Sequence, residues 1–88
     1  MSYHFKISVQ SVDDPDAAPL DFQIESHDNL IATVDRVRSA NVVSEGEAPA
    51  LAIGLKLLGE VLIRRRDEPM FQDLWKAVSS FIKRLKAR

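Results

Sequence analysis

The segment Ala50–Ile63, ALAIGLKLLGEVLI, constrains the fold most strongly because it is apolar over more than half of its circumference as a helix. At about 100° per residue, its leucines align in one ridge: Leu51, Leu55, Leu58 and Leu62. A helix with so much apolar surface has to be covered by other elements. We therefore predict a central helix over about residues 49–66, with Leu58 almost fully buried.

Two glycines interrupt this helix, although each costs roughly 1 kcal/mol of helix propensity relative to alanine. Gly54 and Gly59 lie on opposite flanks of the leucine ridge. We expect close approach of a neighbouring element on each flank to be the reason for them. Pro49 suits the first turn of the helix, where its missing N–H has no partner to lose.

The first 25 residues alternate between apolar and polar side chains in two runs, which is typical of half-buried strands. Tyr3–Ser11 forms the first run and Leu20–Glu25 the second, and the Asp- and Pro-rich segment 13–19 separates them. The strands are predicted to form an antiparallel hairpin. Pairing Val9 with Phe22 places apolar residues on one face, and a slip of two residues satisfies the same rule.

Two further helices flank the central one. Ser26, His27 or Asp28 is a candidate cap for a helix ending at Ala40, with Asn41 as its C-cap. We expect its inward residues to be Leu30, Ile31, Val34 and Val37. The last helix runs from about Pro69 to Lys86 and is strongly amphipathic. The chain is therefore predicted to be one α+β domain over residues 1–88, a β-hairpin followed by three helices in the order β-β-α-α-α.

Composition excludes several classes of protein. The chain has no cysteine, which rules out disulfides and thiol chemistry. MSYHFKISVQ has none of the features of an export signal, and Lys56 and Glu60 interrupt the apolar segment, which is too short to span a membrane. We expect a cytoplasmic protein without membrane contact.

Charge is distributed unevenly along the chain. Residues 1–48 contain nine acidic and three basic residues, whereas residues 49–88 contain four acidic and nine basic ones. The net charges are therefore −6 and +5. Such asymmetry favours either a basic surface for an acidic partner or attraction between the two halves, within the fold or across a dimer.

The segment GLKLLGEVLIRRRDEPMF, with HFKISVQ before it and FIKRLK after it, resembles a small bacterial family that is catalogued only as a domain of unknown function. The resemblance covers nearly the whole chain. It depends on the apolar pattern around Gly54 and Gly59 and on the boundary Asp67-Glu68-Pro69. It implies no activity, ligand or catalytic residue.

Candidate chemical sites are weak. His4 lies on the polar face of the first strand and His27 lies beside Asp28, so no nucleophile or ligand set converges on either histidine. Asp13, Asp14 and Asp16 lack the glycine and the terminal glutamate of a calcium loop and are typical of a turn. We predict no catalytic residue, cofactor or metal site, and a protein that is not an enzyme.

The residues are compatible with three hypotheses about function. The first is a non-enzymatic interaction or regulatory module that forms a homodimer or binds another protein. The second is a nucleic-acid-associated protein that uses the basic face of the last helix, and the third is a small ligand-binding domain or enzyme. The candidate partner-binding residues are Lys6, Ser8, Lys76, Lys83 and Lys86.

Overall fold

Two antiparallel strands followed by three helices make up residues 2–88, the part of the chain that the computed structural model describes. The elements are β1 (Tyr3–Val9), β2 (Leu20–Ser26), α1 (Leu30–Ala40), α2 (Ala48–Arg65) and α3 (Pro69–Lys86). The predicted α+β class and the order β-β-α-α-α are confirmed. The central helix is α2, and it packs against both α1 and α3.

The hairpin pairs Val9 with Leu20, Ile7 with Phe22 and Phe5 with Ile24. This register is the two-residue slip, and the pairing of Val9 with Phe22 is wrong. The slip adds a pair at the loop end, because β2 begins directly after Pro19 and β1 continues to Val9. The apolar side chains of both strands still share one face, as the alternation predicted.

The N-cap of helix α1 lies one residue after Asp28, the last of the three predicted candidates. Asn29 is the N-cap, and its side-chain oxygen accepts a hydrogen bond from the Ile31 N–H at 3.1 Å. The buried Ser26 hydroxyl instead donates to the Asp28 carbonyl at 2.8 Å, which closes the turn before the helix. Asn41 ends α1 in the left-handed conformation, with φ of 56°, as predicted.

The inward face of α1 differs from the prediction at one position. Ile31 is 68% exposed, while Thr33 is buried beside three residues that were predicted correctly, namely Leu30, Val34 and Val37. Thr33 can be buried because its hydroxyl donates to the Asn29 carbonyl at 3.0 Å. The Thr33 hydroxyl thus has its hydrogen-bond acceptor within the first turn of the helix.

The core lies where α1 crosses the beginning of α2. Val34 and Val37 pack there against Ala48 and Ala52, which are almost completely buried. Further along α2, Leu62 has no exposed surface, whereas Leu58 is 38% exposed. The prediction that Leu58 is almost fully buried is therefore wrong. The buried face of α2 is rotated from the leucine ridge toward its alanines, because small side chains let α1 approach closely.

The prediction that a neighbouring element closely approaches each of the two glycines is also wrong. A Cβ atom added to either Gly54 or Gly59 would meet no atom within 4 Å outside its immediate surroundings. Neither glycine is needed for the packing of α2 against α1 or α3.

Helix α3 has the predicted bounds and begins with Pro69 in its first turn. Only Val78 of its apolar arc is buried, and the large apolar residues that this helix exposes are Met70, Leu74 and Phe81. The arc is therefore wider than the surface that α2 covers. None of the helices in the described part of the chain has the length and apolarity that a membrane span requires.

Candidate interaction surfaces

The two histidines lie in separate places, each beside one glutamate. His4 Nε2 is 3.3 Å from Glu25 Oε2 on the hairpin, and His27 Nδ1 is 3.4 Å from Glu60 Oε2 on α2. Both imidazole rings are largely exposed. Over residues 2–88, no group of three or more His, Asp or Glu side chains is arranged to hold a metal ion.

The acidic loop between the strands is a turn that its own side chains stabilise. The Asp14 N–H donates to Ser11 Oγ at 2.9 Å, and the Asp16 N–H donates to Asp14 Oδ1 at 3.2 Å. The Ala17 N–H donates to the Asp14 carbonyl at 3.1 Å. The bond to Asp14 Oδ1 is that of an Asx turn, and the serine hydroxyl and the backbone carbonyl accept the other two bonds.

The basic residues do not form one cluster. Arg64, Arg65 and Arg66 are exposed at the end of α2, and Arg65 Nη1 is 2.9 Å from Glu68 Oε2. Lys76 and Lys83 are exposed on α3, whereas Lys86 lines a groove between the helices. Lys86 is itself exposed, so all three lysines remain candidate partner-binding residues.

Lys6 and Ser8 are exposed on the polar face of the hairpin, opposite Gln23 and Asp21 of β2. Within residues 2–88 the sheet has only two strands. The outer edge of β1 therefore has no further strand beside it in the described part of the chain.

An exposed apolar stripe runs along α2 on the side that α1 and α3 leave open. It consists of Ala50, Gly54, Leu58 and Val61, which we call the α2 stripe. These residues recur at helical spacing, so they share one side of the helix. Leu58 and Val61 are each nearly 40% exposed.

The apolar face of the hairpin continues this surface. Phe22 and Ile24 of β2 and three residues of α2, Leu57, Leu58 and Val61, line a shared gap of about 470 Å³. No apolar residue of the hairpin is buried, and the exposed ones are Tyr3, Val9, Leu20 and Phe22. The hairpin is thus only partly covered by α2, although an isolated two-stranded sheet needs cover to be stable.

The dimensions of the chain show the same incomplete packing. Its accessible surface is 6732 Å², whereas a compact monomer of this size exposes about 5,200 Å². Its radius of gyration is 14.6 Å, against about 12 Å for a compact domain of this length. The difference in surface, about 1,500 Å², exceeds the roughly 800 Å² that one partner buries in a standard interface.

A second concave surface, which we call the helical groove, lies between α1, α2 and the end of α3 and has a volume of about 450 Å³. Its floor is apolar: Val37, Ala40, Ala52, Leu55, Ile82 and Leu85. Its charged residues are Asp35, Arg36, Lys56, Lys86 and Arg88. A predominantly cationic rim around an apolar floor can bind an anion that has an apolar body.

Lys56 at this groove forms an ion pair with Asp28. The hydrogen bond from Lys56 lowers the pKa of Asp28 below its ordinary value of 3.8, and the charges of Lys56, Arg36 and Lys86 lower it further against the opposing effect of burial. The carboxylate of Asp28 therefore remains ionised and compensates the charge of Lys56.

Neither surface could be read directly from the sequence. For the α2 stripe, the sequence offers one indication, which is a glycine, Gly54, within an apolar helix. A glycine in such a helix is equally compatible with a buried contact inside the fold. The helical groove combines residues from distant parts of the sequence. No short motif links its basic residues Arg36, Lys56 and Arg88. Only the packing angle of the helices brings them together.

The comparisons with known proteins identify a similar solved structure and a family. A protein of unknown function from Pectobacterium atrosepticum, with a crystal structure at 2.20 Å resolution, is similar over 100% of both chains, with a TM-score of 0.87 and 26% sequence identity. No curated protein matches the chain. The model of the family described as a domain of unknown function with a solved structure, DUF3861, matches residues 3–87. The chain therefore belongs to the DUF3861 family.

Proposed function

We propose that the protein is a non-enzymatic interaction module that acts as a homodimer, with the α2 stripe and the apolar face of the hairpin as its contact surface. The observation that carries this proposal is the exposed apolar surface that continues from Phe22 to Leu58 and Val61. Monomeric soluble proteins rarely leave large continuous apolar patches in water, and such patches commonly mark interfaces.

Gly54 supports the same surface. A helical glycine costs roughly 1 kcal/mol, and nothing within the chain approaches it closely enough to require the missing side chain. A partner helix lying across the α2 stripe would provide that reason, because a glycine lets two helix backbones come close together. A second copy is the simplest partner, since a self-complementary patch on a two-fold axis closes the assembly.

The edge of β1 is the alternative contact surface for the same homodimer. Pairing of two β1 strands across a two-fold axis would make a continuous four-stranded sheet, and Lys6 is the only charged residue of β1 that opposes it. Lys6→Glu together with Ser8→Glu would weaken that contact. The same double substitution would leave a contact through the α2 stripe intact.

Sedimentation velocity at micromolar concentrations of the full chain tests the proposal. We expect a dimer, and we expect Val61→Glu to weaken it at least about tenfold, because two carboxylates would be brought into an apolar contact. Val61 is exposed in the single chain, so the substitution should leave the fold intact.

Ile31→Glu is the matched control, because Ile31 is also an exposed apolar residue on a helix but lies on α1. We expect it to leave the dimer unchanged. A wild-type chain that sediments as a monomer would refute the homodimer. A dimer that loses affinity through Lys6→Glu and Ser8→Glu, but not through Val61→Glu, would move the contact to the edge of β1.

A further inference from the structure

The helical groove lies on the other side of α2 from the α2 stripe, and the proposed dimer leaves it uncovered. Its apolar floor, which includes Leu55, Ile82 and Leu85, suits an aliphatic body. No aromatic side chain lines the groove. A ligand that depends on stacking, such as a nucleobase, would therefore find no platform there.

The charges at the rim indicate the other half of the ligand. Lys56 is paired with Asp28, and Asp35 Oδ1 is 3.5 Å from Arg38 Nη1, so these two groove charges are compensated. Arg36 and Lys86 form no ion pair within residues 2–88. The same holds for Arg88, so two guanidinium groups and one ammonium group remain available around the apolar floor.

Arg36 is held in place at this rim. Its Nη2 donates to Thr33 Oγ1 at 3.2 Å, and Thr33 is itself buried and lines the groove. Arg36 and Lys86 come from α1 and α3, yet both are close enough to Asp28 to lower its pKa. Both residues line the groove, and both charges lie near Asp28, which pairs with the groove residue Lys56. A planar guanidinium at such a site can bind two oxygens of a carboxylate.

We infer that the helical groove binds a small aliphatic carboxylate, with the chain of the ligand on the floor and its carboxylate between Arg36 and Lys86. This ligand matches the groove in three respects, which are its volume, its apolar floor and its uncompensated positive charge. A volume of about 450 Å³ lies within the range of small-molecule pockets, which is roughly 300–1,000 Å³.

Titration calorimetry of the full chain with octanoate tests the inference, with octanol as the uncharged probe and acetate as the probe without an apolar body. We expect octanoate to bind at micromolar to millimolar concentration and both other probes to bind at least about tenfold more weakly. Octanol binding as tightly as octanoate, or no detectable octanoate binding, would overturn the inference.

Substitutions locate the site. Arg36→Gln together with Lys86→Gln should weaken octanoate binding roughly ten- to a hundredfold, because each removes a charged hydrogen-bond donor. The matched control, Lys76→Gln with Lys83→Gln, removes the same charge from exposed residues outside the groove and should change affinity less than about twofold. Equal weakening by both pairs would show unspecific attraction and overturn the assignment.

Ala40→Leu provides a test that leaves every charge in place. Ala40 is part of the floor and only half-buried, so a larger side chain would fill the groove without entering the core. We expect octanoate binding to be lost while the denaturation midpoint is kept. Amide resonances of groove residues that shift with protein concentration alone would instead assign the groove to a second copy of the chain, which would also refute the inference.

Discussion

Replacing Gly54 by alanine should stabilise the single chain. The added Cβ would meet nothing within 4 Å, so there is no steric cost to set against the gain in helix propensity. That gain is about 0.5–1 kcal/mol, part of it from reduced freedom of the unfolded chain. For a domain of this size, 1 kcal/mol raises the melting temperature by roughly 4–8 °C.

The same substitution should weaken the proposed dimer. Gly54 lies in the middle of the exposed α2 stripe, where a methyl group would hold a partner backbone away from the helix. Gly59→Ala is the matched control: its Cβ also meets nothing within 4 Å, but it lies about 140° around the helix from Gly54. We therefore expect Gly59→Ala to stabilise the chain without any effect on self-association.

Chemical denaturation at two protein concentrations, combined with sedimentation, separates the two effects, since the stability of a dimer depends on concentration. At high dilution, both alanine variants should unfold at higher denaturant concentration than the wild type. At micromolar concentration and above, only Gly54→Ala should sediment with reduced dimer content. If Gly54→Ala destabilises the dilute chain, the added methyl group has a steric cost within the monomer, which would refute the argument.

Three further predictions concern the core, one ion pair and nucleic acid. Leu62→Ala should cost about 2–5 kcal/mol in denaturation because Leu62 is fully buried, whereas the half-buried Leu58→Ala should cost about 1–2 kcal/mol; equal costs would contradict this position of the core. The pKa of Asp28 is lowered, so its pairing stabilises the fold above the ordinary value of 3.8, and this contribution is lost as the pH falls through the lower folded pKa. Asp28→Asn should therefore cost up to about 1 kcal/mol at pH 7 and progressively less as acid protonates the Asp28 carboxylate. A cost that does not fall with pH would count against the ion pair. Gel shifts at physiological salt should show weak nucleic-acid binding at most, and nanomolar affinity that is lost on joint replacement of Lys76, Lys83 and Lys86 by serine would contradict this.

The order of elements could be predicted because each segment has a clear period. Alternation in β1 and β2, and the amphipathic arc of α3, identify their structures whatever the neighbours do. The end of α1 at Asn41 was also predictable, because asparagine tolerates the left-handed conformation that closes a helix. Periodicity and capping depend on residues close together in the sequence, so they could be predicted without knowledge of the tertiary packing.

The position of the buried face on α2 could not be predicted in the same way. A helix that is apolar over most of its circumference has several possible inward directions, and the largest side chains are not necessarily the ones that are buried. Ala48 and Ala52 are buried because α1 crosses there, and this crossing depends on contacts with Val34 and Val37. The leucine ridge was therefore only partly the right reference: Leu62 is fully buried, whereas Leu58 is partly exposed because α1 packs over the alanines.

The candidate surfaces could not be predicted from the sequence either, because they also depend on how the helices pack. Exposure of Leu58 and Val61 follows from the rotation of α2, and the helical groove follows from the packing of three helices. The sequence suggested a homodimer as one hypothesis and gave Lys6 and Ser8 as candidate contact residues, but it did not identify the exposed face of α2. A choice between these surfaces required the solvent exposure of each side chain.

The unequal charges of the two halves of the chain also bear on the proposed contact between copies. Among the ion pairs of residues 2–88, only Lys56–Asp28 joins an acidic residue of the first half to a lysine or arginine of the second half. Arg38–Asp35 and Arg65–Glu68 are each formed within one half. Most of the opposite charge is therefore not paired inside the fold. Because exposed pairs contribute only about 0–1 kcal/mol each, these charges would orient two copies in a dimer, while the apolar surface of the hairpin and α2 would supply most of the free energy of association.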